Sequence, residues 1–313
     1  MIDFHGQVAV ITGAGNGLGR KYAIDLAARG AAIVVNDLGT TVDGQGVSAS
    51  VAQSVVEEIE ALGGKAVASV ETVNTPEGGE AIVAAGIEAF GRVDVVIHSA
   101  GILRNNAFVD MPFEDVRAVI DVHLLGAFNI AQPAFRQMIK QRYGRLVLVS
   151  SNQGFGNPGR ANYAAAKMGI IGLTNVLAQE GREHGIAANA LMPLGLTRMG
   201  ANKGDQADRM TATFAPIKHR IRGAWVTPMV TYLSSSSCRE SGETFSAIGG
   251  RYARVFMGLA PGWVSPGEEP PTAEDIAANM ALVQAVDGYS IPGSFYDEVQ
   301  HAVDRYTEER PKG

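Results

Sequence analysis

Tyr163 and Lys167 stand four residues apart in Tyr-Ala-Ala-Ala-Lys, the spacing that stacks two side chains on one face of a helix. A phenol with an ordinary pKa of about 10 exchanges a proton near neutrality only when something stabilises its phenolate. A lysine ammonium one turn away supplies that charge. The pair reads as a proton-transfer couple, with an ordinary exposed helical pair as the competing reading, and its place in the chain decides between the two. Just upstream, Ser150 and Ser151 close the apolar run Leu146-Val-Leu-Val149. A strand-end hydroxyl there can polarise a substrate oxygen or simply form a turn.

A second constellation lies near the N-terminus. The run Gln7–Thr12 leads into Gly13-Ala-Gly-Asn-Gly-Leu-Gly19 and then the helical pattern Arg20-Lys-Tyr-Ala-Ile-Asp-Leu. Strand, glycine turn and helix N-terminus together make an anion site, because free helix N–H groups and the helix dipole favour a pyrophosphate. Leu18 occupies the place of the last glycine in G-x-G-x-x-G, so Gly13-x-x-x-Gly17-x-Gly19 describes the loop better. Asp37 ends the second apolar run, 18 residues beyond Gly19, where a nucleotide fold places the group that meets the adenine ribose. A carboxylate accepts from both ribose hydroxyls and repels a 2′-phosphate, which favours NAD over NADP. Arg20 could instead offer a phosphate contact, and Asp37 could merely cap the next turn.

These residues need a frame. Short apolar runs at 7–12, 31–36, 65–70, 93–98, 145–150 and 186–192 alternate with helical segments at 17–29, 48–62, 77–90, 113–142 and 163–184. Runs such as Val8-Ala-Val-Ile11 are apolar on both faces, as strands covered on both sides must be. The expectation is an α/β chain with a doubly wound, Rossmann-type parallel sheet of about seven strands and helices on both faces. Residues 1–250 form that domain, and 251–313 add a C-terminal helical extension. Within it Thr272-Ala-Glu-Asp275 opens an amphipathic helix through Val286, with Thr272 as N-cap. The extension could cover a substrate mouth, pack on another subunit or seal exposed core.

Composition narrows the partners. With 26 basic and 32 acidic residues the net charge is −6, and no basic cluster suits nucleic acid. Cys238 is the single cysteine, so no internal disulfide and no multi-cysteine metal site can form, and it reads as a small core hydrophobe. No apolar stretch approaches a bilayer span and no signal sequence opens the chain. A cytoplasmic enzyme with a small-molecule substrate is expected, without membrane or metal.

The ordered motifs Thr12-Gly-x-x-x-Gly-x-Gly19, Ser99-Ala-Gly101, the strand-end serine, Tyr163-x-x-x-Lys167 and Pro193 through Thr197 resemble the short-chain dehydrogenase/reductase family over roughly residues 5–250. The resemblance implies Tyr163 as general acid/base, Lys167 binding the nicotinamide ribose and lowering the tyrosine pKa, and Ser151 holding the substrate oxygen. Family spacing leaves Ser150 as the alternative serine. Cofactor contacts are implied for Gly13, Asn16, Gly17, Leu18, Gly19, Asp37, Val73, Ser99, Ala100, Gly101, Tyr163, Lys167 and Thr197. His98-Ser-Ala-Gly101 replaces the usual Asn-Asn-Ala-Gly. His123 falls at the family's asparagine whose carbonyl holds a relay water; its imidazole could join that relay or simply pack.

Val35-Asn-Asp37-Leu-Gly39, the glycine-bearing insertion through Gly46, Gly101-Ile-Leu-Arg104, Val122-His-Leu124, Tyr143-Gly-Arg145, Gly159-Arg-Ala-Asn-Tyr163 and the tail from Pro266 to Val286 are similar to one branch, the (3R)-hydroxyacyl-CoA dehydrogenase module of the peroxisomal multifunctional β-oxidation enzymes. That implies hydride transfer between NAD and a 3-hydroxyacyl-CoA. Another hydrophobic alcohol, such as a steroid, terpenoid or aromatic diol, is the alternative substrate, and a non-catalytic NAD-binding regulator the alternative class. The ending Arg-Pro-Lys-Gly carries no peroxisomal signal, which suggests a free-standing bacterial-type enzyme. By family analogy the segments 113–142 and 163–184 form the face of a homodimer or homotetramer, and residues 194–216 set the substrate pocket.

Overall fold

The computed structural model describes residues 1–195, 212–266 and 269–309, so Thr197 and most of the 194–216 loop lie outside the described residues. The chain divides into two compact units, Met1–Arg254 and Val255–Gly313. In the first, the elements run β1 (Val8–Thr12), α1 (Gly17–Ala28), β2 (Ala32–Asn36), α2 (Ala49–Ala61), β3 (Lys65–Ser69), α3 (Pro76–Phe90) and β4 (Val95–His98). Then follow α4 (Phe113–Ile120), α5 (Gly126–Gln141), β5 (Gly144–Val149), α6 (Ala161–Gly181), β6 (Ile186–Leu194), α7 (Thr227–Ser234), β7 (Thr244–Ile248) and β8 (Arg251–Val255).

The sheet order is β3-β2-β1-β4-β5-β6-β7-β8, with parallel pairing from β3 through β7. Helices cover both faces, and strand residues alternate between them. Ala9, Ile11, Ile33, Val35, Val95, Ile97, Val147 and Val149 point to one core with Tyr22 and Leu26 of α1, Val55 and Ile59 of α2, and Val230 of α7. Their neighbours Val10, Val34, Val96 and Leu146 point to the other, with Ile82 of α3 and Ile130, Ala134 and Met138 of α5. Period-two alternation with both faces apolar gives the continuous hydrophobic runs of the sequence. Cys238 is buried in the first core, as its reading as a small hydrophobe required.

Among the described residues the sheet has eight strands where about seven were expected. Gly249 and Gly250 take φ of 56° and 92°, the backbone of a two-residue hairpin turn. This turn returns the chain as β8, which Arg251 and Arg254 leave half-polar. A short, partly exposed edge strand lacks the apolar run that marks its buried neighbours.

From Phe113 to Gln141 the helix runs for 29 residues, long and apolar enough by length and composition alone to cross a membrane, contrary to the expectation that no stretch approaches a span. Its inner residues Val119, Ile130, Ala134 and Met138 are buried in the protein core. It is interrupted by a π turn at Asp121–Leu125, a local widening of the helix that recurs at functional sites.

The second unit holds α8 (Ala273–Ala278), α9 (Met280–Val283) and α10 (Phe295–Glu309). Thr272 is the N-cap of α8, in a reciprocal capping box with Asp275. The helix expected through Val286 breaks at Asn279, whose side chain donates to the Asp275 carbonyl at 2.9 Å and so competes with the helical ladder. Phe256 stacks on Tyr289, centroids 5.7 Å apart, beside an antiparallel bridge between Leu259 and Ser290.

Candidate active site

The chain goes from β1 to β2 on one side of the sheet and returns to β4 on the other, so β1 and β4 flank the point where the winding reverses. Ligands of doubly wound sheets bind there, outside the carboxyl ends of the strands. A cleft of about 330 Å³ opens at that place, and every predicted site residue within the described chain lines it: Gly13, Asn16, Gly17, Leu18, Gly19, Asp37, Val73, Ser99, Ala100, Gly101, Ser151, Tyr163 and Lys167.

Its nucleotide end is built largely from main chain. Gly13 has φ of 67°, and a Cβ there would meet the Ala100 Cα at 2.8 Å, so only glycine lets the loop after β1 lie against the loop after β4. Thr12 fastens the same junction, its Oγ1 accepting from the Ser99 and Ala100 amides, both at 3.2 Å. α1 starts at Gly17 with no acidic residue in its first turn, leaving its N-terminal dipole to an anion. One residue past β2, the Asp37 carboxylate accepts from the Gly15 amide at 2.9 Å and the Gly39 amide at 2.7 Å. Both oxygens are thereby oriented, and each keeps a lone pair that can accept a further hydrogen bond.

The reaction end is built from buried side chains at the ends of β4 and β5 and the start of α6. Ser150 and Ser151 diverge. The Ser150 hydroxyl donates to the Lys167 carbonyl at 2.7 Å, its proton committed to the back of α6. Ser151 accepts from the Gln153 amide at 3.2 Å, and its hydroxyl, which lines the cleft with Tyr163, works against the rise of the phenol's pKa. Burial raises the Tyr163 pKa, opposed by that bond and by the Arg160 guanidinium. Lys167 is 2 % exposed and donates to the Val149 carbonyl; burial lowers its pKa to about 7. Its Nζ lies 5.7 Å from the centre of the Tyr163 ring. In this geometry Ser151 and Arg160, rather than Lys167, oppose the burial of the phenol.

Two buried histidines stand behind the couple. Because Thr12 Oγ1 accepts two amides, its own proton goes to His98 Nδ1, 3.0 Å away. His98 Nε2 then carries the ring proton and donates to the His123 carbonyl at 3.2 Å. Burial, with the Lys167 charge nearby, brings the His98 pKa down to about 3, which keeps the ring neutral. The same causes hold His123 well below its ordinary value. His123 sits in the π turn, meets the Ile102 amide and carbonyl at 3.1 and 2.8 Å through Nε2, and packs edge-on to Tyr163, centroids 4.9 Å apart. Sequence reasoning noted Arg160 within Gly159-Arg-Ala-Asn-Tyr163 but gave it no place in the site; it lines the cleft three residues before Tyr163. Its place at the N-cap of the helix that carries the tyrosine was the available signal.

The profile of the short chain dehydrogenases matches residues 7–208. The chain belongs to this family. Short-chain dehydrogenases are oxidoreductases that act on CH–OH groups with a nicotinamide cofactor, and the cleft has the parts for one: a glycine-lined anion site, an oriented carboxylate and a half-buried tyrosine. A short-chain type dehydrogenase/reductase of Mycobacterium tuberculosis is 39 % identical, covering 92 % of this chain and 97 % of the relative. Peroxisomal multifunctional enzyme type 2 of Mus musculus is 39 % identical over 97 % of this chain but only 41 % of its own length. The solved full-length peroxisomal multifunctional enzyme type 2 of Drosophila melanogaster superposes with a TM-score of 0.81 at 31 % identity, covering all of this chain and 51 % of that one. This short-chain dehydrogenase thus spans about half the length, or less, of these two multifunctional enzymes.

Proposed function

We propose that the chain is an NAD-linked dehydrogenase that oxidises the 3-hydroxyl of 3-hydroxyacyl-CoA thioesters. The observation that carries the chemistry is the convergence of Ser151, Tyr163 and Lys167 on one cleft with the glycine loop. In this reading Ser151 donates to the substrate oxygen while Tyr163, as phenolate, takes the hydroxyl proton. Lys167 holds the nicotinamide ribose, and a ribose oxygen at its Nζ would favour the ammonium that burial disfavours. Bound NAD supplies the hydride acceptor. His98 acts through position, tying Thr12 and the strand ends to the carbonyl of His123.

Asp37 supports NAD over NADP, because its carboxylate, oriented by two amides, would face a 2′-phosphate with like charge. The resemblance of 35–39, 101–104 and 122–124 to the hydroxyacyl-CoA branch, and the relatives named above, support the thioester. Exposed Leu125 of the π turn, Phe128 of α5 and Met168 and Val176 of α6 support a homodimer or homotetramer, which light scattering would test.

The deciding experiment follows NADH absorbance with (R)-3-hydroxyacyl-CoAs of increasing chain length, with NADP as control. Turnover with NAD is the expected outcome. Inertness toward every hydroxyacyl-CoA alongside oxidation of steroids or simple alcohols would sink the substrate, and faster reaction with NADP would sink the role of Asp37.

A further inference from the structure

In the sheet β1 lies between β2 and β4, so a chain that leaves β2 and touches the segment after β4 has to cross the carboxyl end of β1. Residues 39–46 do so. They close on themselves, the Thr41 amide donating to the Gln45 carbonyl at 2.9 Å and the Gly44 amide to the Thr41 carbonyl at 3.0 Å, and they bridge two strand spacings, about 10 Å. On the far side the Leu103 amide donates to the Val42 carbonyl at 2.9 Å, and a Cβ at Gly44 would meet Ile102 Cγ2 at 3.2 Å. Leu38, Thr40 and Gly44 line the cleft together with Asp37 and the glycine loop. The crossing is a strap at the place where β1 opens into Gly13–Gly19.

Arg104 fastens the far end of this strap. Its Nε donates to the Asp43 carbonyl at 3.1 Å and its Nη1 to the Asp115 carboxylate of α4 at 3.2 Å. That carboxylate accepts in turn from the Asn106 side chain at 2.9 Å. The planar guanidinium spans strap and helix with two fixed donors, which a point charge on a flexible stem does not. The Arg104 main chain has a separate task, because its carbonyl accepts from the side chain of Asn162, the neighbour of Tyr163, at 2.9 Å. Side chain and backbone thus serve different ends of the cleft, and a side-chain substitution reaches the strap alone.

We propose that Arg104 is a positioning residue for the cofactor: it latches the strap 39–46 across the dinucleotide, and opening of that latch sets how fast the dinucleotide leaves. This rests on the reading of the cleft as a dinucleotide site and is independent of the substrate. A ligand held under a fastened segment departs when the segment lets go, so loss of the latch is read in the off-rate.

The test compares wild type, Arg104→Gln and Arg104→Lys by stopped-flow displacement of NADH, by amide hydrogen exchange of residues 41–46 without nucleotide, and by kcat at saturating NAD, with melting temperature recorded for each. Arg104→Gln raises the NADH off-rate about tenfold, the worth of one hydrogen bond from a charged group. It also speeds exchange of the strap amides and does not lower kcat, while Arg104→Lys falls between glutamine and wild type in off-rate. An unchanged off-rate in Arg104→Gln, or a kcat that falls as far as the affinity does, overturns the proposal. Should Arg104→Gln not fold, the lysine variant still reads it, since an off-rate equal to wild type there overturns it as well. If the wild-type protein binds no NADH, the proposed function fails, and exchange alone decides the latch: strap amides no faster in Arg104→Gln than in wild type remove it.

Discussion

The two ends of the cleft are made of different material. At the nucleotide end the working groups are main-chain amides and one half-buried carboxylate: Gly13 pressed against Ala100, the start of α1, and Asp37 held by Gly15 and Gly39. At the reaction end they are buried ionisable side chains, whose properties come from the absence of water: burial raises Tyr163 and lowers Lys167, His98 and His123. A backbone site tolerates side-chain change and depends on conformation. A site of buried titratable groups depends on each atom, and single substitutions there should cost most.

Tyr163→Phe puts the largest effect on that contrast. It deletes the proton acceptor while keeping the ring against His123, so kcat should fall about 10³–10⁴-fold with NADH affinity, read by fluorescence titration, little changed. Equal loss of both would mean that the two ends are not separable. Ser151→Ala comes next, at roughly 10²-fold in kcat for loss of a donor to the reacting oxygen. Ser150→Ala should cost mainly stability, about 1 kcal/mol for its bond to the Lys167 carbonyl. Steady-state rates and urea titrations on both variants separate the serines, and the reverse pattern would assign the role to Ser150.

At the nucleotide end Asp37→Asn removes the charge and keeps an acceptor for the backbone. The preference for NAD over NADP in kcat/KM should fall about tenfold or more, with kcat on NAD nearly constant. The smallest effect concerns stability. Burial brings the Lys167 pKa down from the ordinary 10.5 to about 7, so between those values the unfolded chain binds a proton that the folded chain does not. Stability should therefore rise with pH across that window, and Lys167→Met should flatten the rise by at most about 1.4 kcal/mol per pH unit. Chemical unfolding at pH 7, 8 and 9 reads the slope, and an unchanged slope would mean that Lys167 stays charged in the fold.

The sequence by itself determined the sheet and the nucleotide end, because both rest on local rules. A strand covered on two sides has to be apolar along its length, as Val8–Ile11 and Leu146–Val149 are, and a chain that turns tightly onto a helix start has to use glycine, as Gly13 and Gly17 do. Tyr163 and Lys167 were legible for the same reason, as a helical spacing next to a strand end. Only the tertiary structure decided which serine faces the phenol, because Ser150 and Ser151 are neighbours of one type whose side chains point to opposite sides of an extended backbone. It likewise set the neutral histidines and brought Arg160 to Tyr163, since charge state follows from burial and burial is a sum over distant elements. The half-polar β8 and the break at Asn279 escaped the sequence because an edge strand and a side-chain bond back to the helix leave no apolar period to read.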